Sequence, residues 1–207
     1  MGQAWTPILV WTEPHVTLYG GYDVKKAESF FAHDYIYEWT HEDGKVSKHI
    51  NGYKLMETSY IGNQMVNDVV SELVAHRDQS PRIVWMGEYA SDARWEGATE
   101  DDMEEVAVLM RFIHGPFEHS IRRKAVQDAQ PPKVWILCPD LGQYIEYDRE
   151  KEGIAALPLL CAIGNGLGGG DYRGTNMDLV GTWAYRNLVV CDEEPEGWDL
   201  TEMFEEE

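Results

Sequence analysis

The residues best suited to chemistry lie in one short run, Gly164-Asn165-Gly166-Leu167-Gly168-Gly169-Gly170-Asp171-Tyr172-Arg173-Gly174-Thr175-Asn176. Glycine lets a backbone approach a ligand closely and turn successive N–H groups into a concave nest. Gly168, Gly169 and Gly170 are the candidates for that cradle. Arg173 can clamp a phosphate or carboxylate through two parallel bonds. Asn165 and Asn176 can donate hydrogen bonds. Tyr172, and Trp183 further on, offer flat faces for stacking. Asp171 can orient the arginine, act as a base, or hold a ribose hydroxyl or a metal. The structural alternative is a multi-turn loop in which Asp171 accepts backbone N–H bonds.

Two nearby segments extend this set. Arg82-Ile83-Val84-Trp85-Met86-Gly87-Glu88-Tyr89 reads as a strand-like run followed by Gly-acid-Tyr, like the end of the glycine run. If the two strand ends adjoin, Glu88 and Asp171 form an acid/base pair or chelate a divalent cation. Glu57 is a third carboxylate candidate. It precedes Asn63, whose helix-capping position places it at a helix N-terminus, where an anion can dock. Simple capping is the plainer reading of Asn63.

Several chemistries are excluded. Gly164-x-Gly166-x-x-Gly169 matches the dinucleotide fingerprint in spacing, but Asp171-Tyr172-Arg173-Gly174 is a poor helix start and no β-α-β unit surrounds it. No Gly-Lys-Ser/Thr ends the run, which removes a P-loop. The histidines are scattered, without a His-Glu-x-x-His pair. His15-Val16-Thr17 has no second half of a two-histidine phosphoesterase pattern. Cys138, Cys161 and Cys191 each adjoin an apolar run and read as small buried hydrophobes in a reducing compartment. No metal site and no cofactor is assigned, and a divalent cation remains a candidate through the acid pair alone.

The elements that must position these residues read as α+β. Ile8 to Trp11 and His15 to Tyr19 read as strands, and Val24 to Phe31 as a short helix. Tyr35 to Trp39 and Val46 to Ile50 form a hairpin around Glu42-Asp43-Gly44-Lys45. Ile61, Met65, Val66, Val69, Val70 and Leu73 recur at helical spacing, so a helix capped by Asn63 runs to about His76. Arg82 to Met86 is a buried strand. Thr99 with Asp102 opens a helix to Ile113, and Phe117 to Ala129 reads as another. Val134 to Cys138 and Gln143 to Tyr147 flank Pro139-Asp140-Leu141-Gly142, a hairpin signal. Leu188 to Cys191 is a further strand. The expectation is a single domain over residues 1–190, with a mostly antiparallel sheet and two to four helices.

The chain of 207 residues carries a net charge of -20, and residues 191–207 hold nine acids and no Lys or Arg. That end reads as a solvated, weakly ordered acidic C-terminal tail, or as an arm for a basic partner. The charge excludes sequence-independent nucleic-acid binding, because no basic stripe offsets phosphate repulsion. No 18-residue apolar run and no signal peptide occur, which points to a soluble protein with no membrane partner.

Several segments together resemble a family of bacteriophage and prophage proteins of uncharacterised activity. They are Met1-Gly2-Gln3, Lys54-Leu55-Met56-Glu57-x-Ser59-Tyr60-Ile61-Gly62-Asn63, Arg82-Ile83-Val84-Trp85-x-Gly87 and Leu157-Pro158-Leu159-Leu160. Gly164-Asn165-Gly166-x-Gly168-Gly169-Gly170-Asp171-Tyr172-x-Gly174 and Val180-Gly181-x-Trp183-Ala184 complete the set. The likeness spans roughly residues 1–190 and implies a phage protein acting in the cytoplasm of a host cell. This chain departs from the family in having Thr58 where a His is frequent, Gly87-Glu88-Tyr89-Ala90-Ser91-Asp92 in place of Gly-Asp-Tyr-Ala-Asp, and Tyr185 after Trp183-Ala184 in place of Asp. Losing several acid/base groups suits a binder or inhibitor better than a catalyst.

Two readings result. In the first, the chain binds a small phosphate- or nucleotide-like ligand through the glycine run and acts against host defence. In the second, its acidic segments, including Glu100 to Glu105, occupy the basic groove of a host nucleic-acid-binding factor.

Overall fold

A computed structural model of the chain describes residues 5–10, 16–19, 36–40, 46–50, 54–87, 90, 121–124, 129–164 and 172–206. Five strands make the larger sheet: β1 (Trp5–Val10), β2 (Val16–Tyr19), β5 (Arg82–Gly87), β6 (Ile121–Lys124) and β9 (Ala162–Ile163), in the order β6-β2-β1-β5-β9. β1 runs antiparallel to β2 and β5, while β6 lies parallel to β2 and β9 parallel to β5. Ile83, Val84, Trp85 and Met86 are fully buried, so both faces of β5 are covered. A continuous apolar run is what such a doubly covered strand requires. β3 (Ile36–Thr40) and β4 (Val46–Ile50) form a separate antiparallel ribbon.

The second sheet contains β7 (Val134–Cys138), β8 (Gln143–Tyr147), β10 (Val189–Cys191) and β11 (Asp199–Leu200), ordered β10-β7-β8-β11. Its central hairpin turns at Gly142, whose φ of 65° favours glycine. β11 joins the edge of β8 in parallel.

Three α-helices are present among the described residues: α1 (Leu55–Thr58), α2 (Gln64–Ala75) and α3 (Ala156–Leu160). The side chain of Asn63 caps α2 by accepting the Met65 N–H at 2.9 Å. Met65, Val66, Val69, Val70 and Leu73 then bury one apolar face. That face joins Trp5, Leu9, Ile83 and Trp85 of the first sheet, Ile136 and Ile145 of the second, and Leu157 and Leu160 of α3 in one core cluster.

The α+β class, the mostly antiparallel pairing, both hairpins and the Asn63-capped helix are as the sequence predicts. Three expectations are corrected. Residues 121–124, read as part of a helix over Phe117 to Ala129, are strand β6 against β2. Isoleucine and the long stems of Arg122, Arg123 and Lys124 suit either state, and pairing with β2 decides. The apolar run at 154–163, likened in sequence to the strand-like run Arg82 to Met86, is helix α3 over five residues, with only Ala162 and Ile163 in a strand. The acidic end is not a loose tail: β11 pairs with β8, Thr201 is buried, and Phe204 is only 4% exposed within the core. The expected helices at Val24 to Phe31 and from Thr99 to Ile113 lie outside the described residues.

Phe204→Ala should therefore lower unfolding stability by about 3–5 kcal/mol, the cost of emptying a buried aromatic site. Urea denaturation checks this. A change under about 0.5 kcal/mol, typical of an exposed position, would return the segment to the status of a solvated tail.

Candidate functional site

The glycine run leaves the sheet at a defined place. Met86 pairs with Ile163 and Trp85 with Ala162, so β5 and β9 run side by side in the same direction. Gly87 and Gly164 depart from the same end of adjacent strands, and Trp5, opposite Gly87, brings the start of β1 there too. The ends of β5 and β9 therefore adjoin. Glu88, Asp171, Asn165, Gly168, Gly169 and Gly170 themselves lie outside the described residues.

Four of the motif segments meet around α3. The Ala155 N–H donates to Ser59 O at 2.7 Å, and the Trp85 N–H to Cys161 O at 2.7 Å. The Gly181 N–H donates to Leu159 O and the Trp183 N–H to Leu160 O. Gly181 has a φ of 83°, and a Cβ there would sit 2.7 Å from Ala162 O. Close backbone approach thus requires this glycine.

The far end of the glycine run is tied to the C-terminal segment. Tyr172 is buried, and its hydroxyl lies 2.5 Å from Thr175 O and 2.7 Å from Glu205 O, with one proton to share between them. Its ring meets Phe204 edge-on at 5.3 Å. The Thr175 N–H donates to Glu205 O, and the Glu205 N–H donates back to Thr175 Oγ1. Asn176, in the left-handed conformation at φ 56°, donates from Nδ2 to Met203 O at 2.6 Å. A Cβ on Gly174 would collide with Glu205 O. Residues 199–206 are therefore a strap laid across residues 172–176.

Most of the described ligand-binding candidates have partners within the protein. Tyr172 and Asn176 hold the strap. Trp183 is fully buried, with its indole N–H on Gln143 Oε1 at 2.9 Å, and presents no stacking face to solvent. Asn63 spends Oδ1 on the α2 cap and Nδ2 on Glu57 O. Glu57 accepts the Lys54 N–H through its carboxylate, closing α1. Arg173 alone remains exposed, with no hydrogen bond or ion pair among the described residues. No group of three or more His, Cys, Asp or Glu capable of holding a metal occurs among the described residues. No helix among them is long and apolar enough to cross a membrane.

The electrostatics of residues 192–206, the strap and the segment before it, are one-sided. Asp192, Glu193, Glu194, Glu196, Asp199, Glu202, Glu205 and Glu206 are all exposed. Asp192 pairs with Arg77 at 2.5 Å, and that guanidinium holds its carboxyl below the usual range. Glu194 accepts from the Tyr144 hydroxyl at 2.6 Å, and Glu206 from Tyr60 at 2.8 Å. Each bond to a carboxylate raises the phenol's pKa, with burial and charge adding to it. Burial pushes the Cys138 thiol up to about 11 and Cys161 well above its ordinary value, so both stay protonated.

Sequence reasoning missed Tyr60, Thr201, Met203 and Phe204. The available signal was the spacing of Trp198, Leu200, Met203 and Phe204 among the acids, since a purely solvated tail has no use for large apolar side chains. No family model matches the chain, and no curated protein and no solved structure matches it.

Tyr172→Phe is expected to cost about 1 kcal/mol of stability, because two carbonyls lose their shared donor. Burial of Cys138 and Cys161 also has a direct readout: native protein should expose only Cys191 to a thiol reagent at neutral pH. Unchanged stability of Tyr172→Phe would free Tyr172 for a ligand, and rapid labelling of all three thiols would contradict the buried core around α3.

Proposed function

We propose that this chain is an interaction protein that presents a fixed acidic surface to the basic groove of a nucleic-acid-binding factor. Its resemblance to phage proteins supplies the setting, a host cell whose factor is blocked. The observation that carries the reading is the C-terminal segment: every described acid from Asp192 to Glu206 is exposed, and the strap within it is anchored from behind by Thr201 and Phe204. Carboxylates on a loose tail would have to lose conformational freedom on binding. Carboxylates on a folded segment lose much less, which favours affinity. The net charge of -20 adds long-range attraction for a basic partner.

Truncation is a poor test, because it removes Phe204 from the core. Replacing the exposed acids of 192–206 by Asn and Gln keeps the anchors. In host lysate the wild-type chain should retain nucleic-acid-binding proteins, release them between about 50 and 200 mM salt, and displace DNA from them in a gel-shift competition. If the neutralised variant displaced DNA as well as the wild type, the reading would be wrong.

A second reading rests on the glycine run itself. It is fixed at one end by β9 and at the other by Tyr172, beside the departing ends of the parallel pair β5 and β9. Such strand ends favour ligand sites. A small phosphate- or nucleotide-like ligand, with or without a divalent cation, would use the loop backbone and Arg173. The carboxylates of Glu205 and Glu206 beside Gly174 oppose a polyanion there. Nucleotides, cyclic dinucleotides and divalent metals should raise the Tm in a concentration-dependent way, and Arg173→Ala should abolish the rise. A rise that persists in Arg173→Ala would remove Arg173 from the site.

A further inference from the structure

The large hydrophobic residues exposed in the described part of the chain are not scattered. Among the described residues they are Tyr60, Leu141, Met177, Leu200 and Met203, between 37% and 58% exposed. All five lie on the strap or at its points of attachment. Leu200 and Met203 belong to it. Tyr60 bonds Glu206 directly, Met177 follows Asn176, which holds Met203 O, and Leu141 precedes Gly142, whose carbonyl accepts the Asp199 N–H. Isolated exposed apolar residues are ordinary; their concentration along one course of chain marks an interaction surface.

The strap also divides its residues by direction. Thr201 and Phe204 are buried and hold it down, while Leu200 and Met203 face solvent at 58% and 54% exposure. Between and beside these two lie Asp199, Glu202, Glu205 and Glu206, all exposed. The surface therefore offers apolar anchors within a carboxylate rim. Methionine is adaptable in shape and enriched in interface cores, which suits two of the anchors to a partner's apolar stripe.

We propose that the outer face of residues 199–206, with Tyr60, Leu141 and Met177, docks a basic amphipathic segment of a partner protein. The partner's apolar stripe covers Leu200, Met203 and Met177, and its flanking Lys and Arg residues meet the carboxylate rim. This rests on the interaction reading above and adds that charge alone does not account for recognition. The occupant follows from charge complementarity. A second copy would bring the same acidic rim against itself, and a nucleic acid would bring phosphates, so both are repelled by a chain of net charge -20.

The test uses two labelled peptides of equal charge. One is a Leu/Lys amphipathic helix of about 18 residues, near five turns; the other has Ser for every Leu. Fluorescence anisotropy at about 150 mM salt, where long-range attraction is largely screened, compares them. The wild-type chain should bind the Leu/Lys peptide at least about tenfold more tightly than the Ser/Lys peptide. The double variant L200S/M203S should bind both alike, with its Ser/Lys affinity unchanged. Both sites are exposed, and an unaltered near-ultraviolet circular dichroism spectrum checks that the variant is folded. A preference that survives in L200S/M203S, or is missing from the wild type, overturns the surface while leaving the acidic reading standing. Unchanged Ser/Lys binding by the acid-neutralised variant overturns the acidic reading instead. Dimerisation in sedimentation, or adhesion to phosphatidylcholine vesicles, that is lost in L200S/M203S would assign the surface to a second copy or to lipid and overturn the proposal.

Discussion

The edge-on burial of Phe204 against Tyr172 is the contact on which the attachment of the acidic segment depends. An acidic segment has every electrostatic reason to stand off from an already acidic body. Burial of one aromatic ring contributes a few kcal/mol, enough to offset weak repulsion among solvated carboxylates. Bonds to the backbone of the segment then complete the attachment: Thr175 and Glu205 exchange two bonds, and the Thr201 N–H donates to Tyr144 O. The strap is held by its backbone and buried side chains, with the Glu206 carboxylate accepting from Tyr60, and its acids stay exposed.

This division of labour links the glycine run to the acidic end. Gly174 has no side chain because Glu205 O occupies the space a Cβ would need. Asn176 adopts a left-handed conformation that Asn tolerates better than most residues, and its side chain reaches Met203 O. The second half of the glycine run therefore builds a seat for the strap. The first half departs beside β5, where Gly87 and Gly164 leave the sheet together. A strand end thus precedes residues 165–171 and a docking seat follows them.

Elements with a complete local signature were legible in the sequence. Asn63 with the Met65-to-Leu73 periodicity specified α2, and Pro139-Asp140-Leu141-Gly142 specified the β7–β8 turn, because capping and turn chemistry act within a few residues. The strap was not legible. Its attachment joins residues some thirty positions apart, Tyr172 to Glu205, and nothing in the local run Glu202-Met203-Phe204-Glu205 names that partner. Tyr172, Asn176, Trp183 and Asn63 looked like ligand-binding groups because a tight fold and a ligand use the same donors and acceptors. The bonds to Glu205 O, Met203 O, Gln143 and Met65 show the structural use of these groups, which nothing in the local sequence names.

Hydrogen exchange at individual amides of the C-terminal segment tests the folded strap most directly. The Asp199 and Thr201 N–H groups donate to Gly142 O and Tyr144 O, and the Glu205 N–H to Thr175 Oγ1. A folded strap requires all three to exchange well below the rate of an unstructured peptide at neutral pH. Exchange of all three at the unstructured rate, in a protein whose α2 amides remain protected, would contradict the strap and with it the fixed acidic surface.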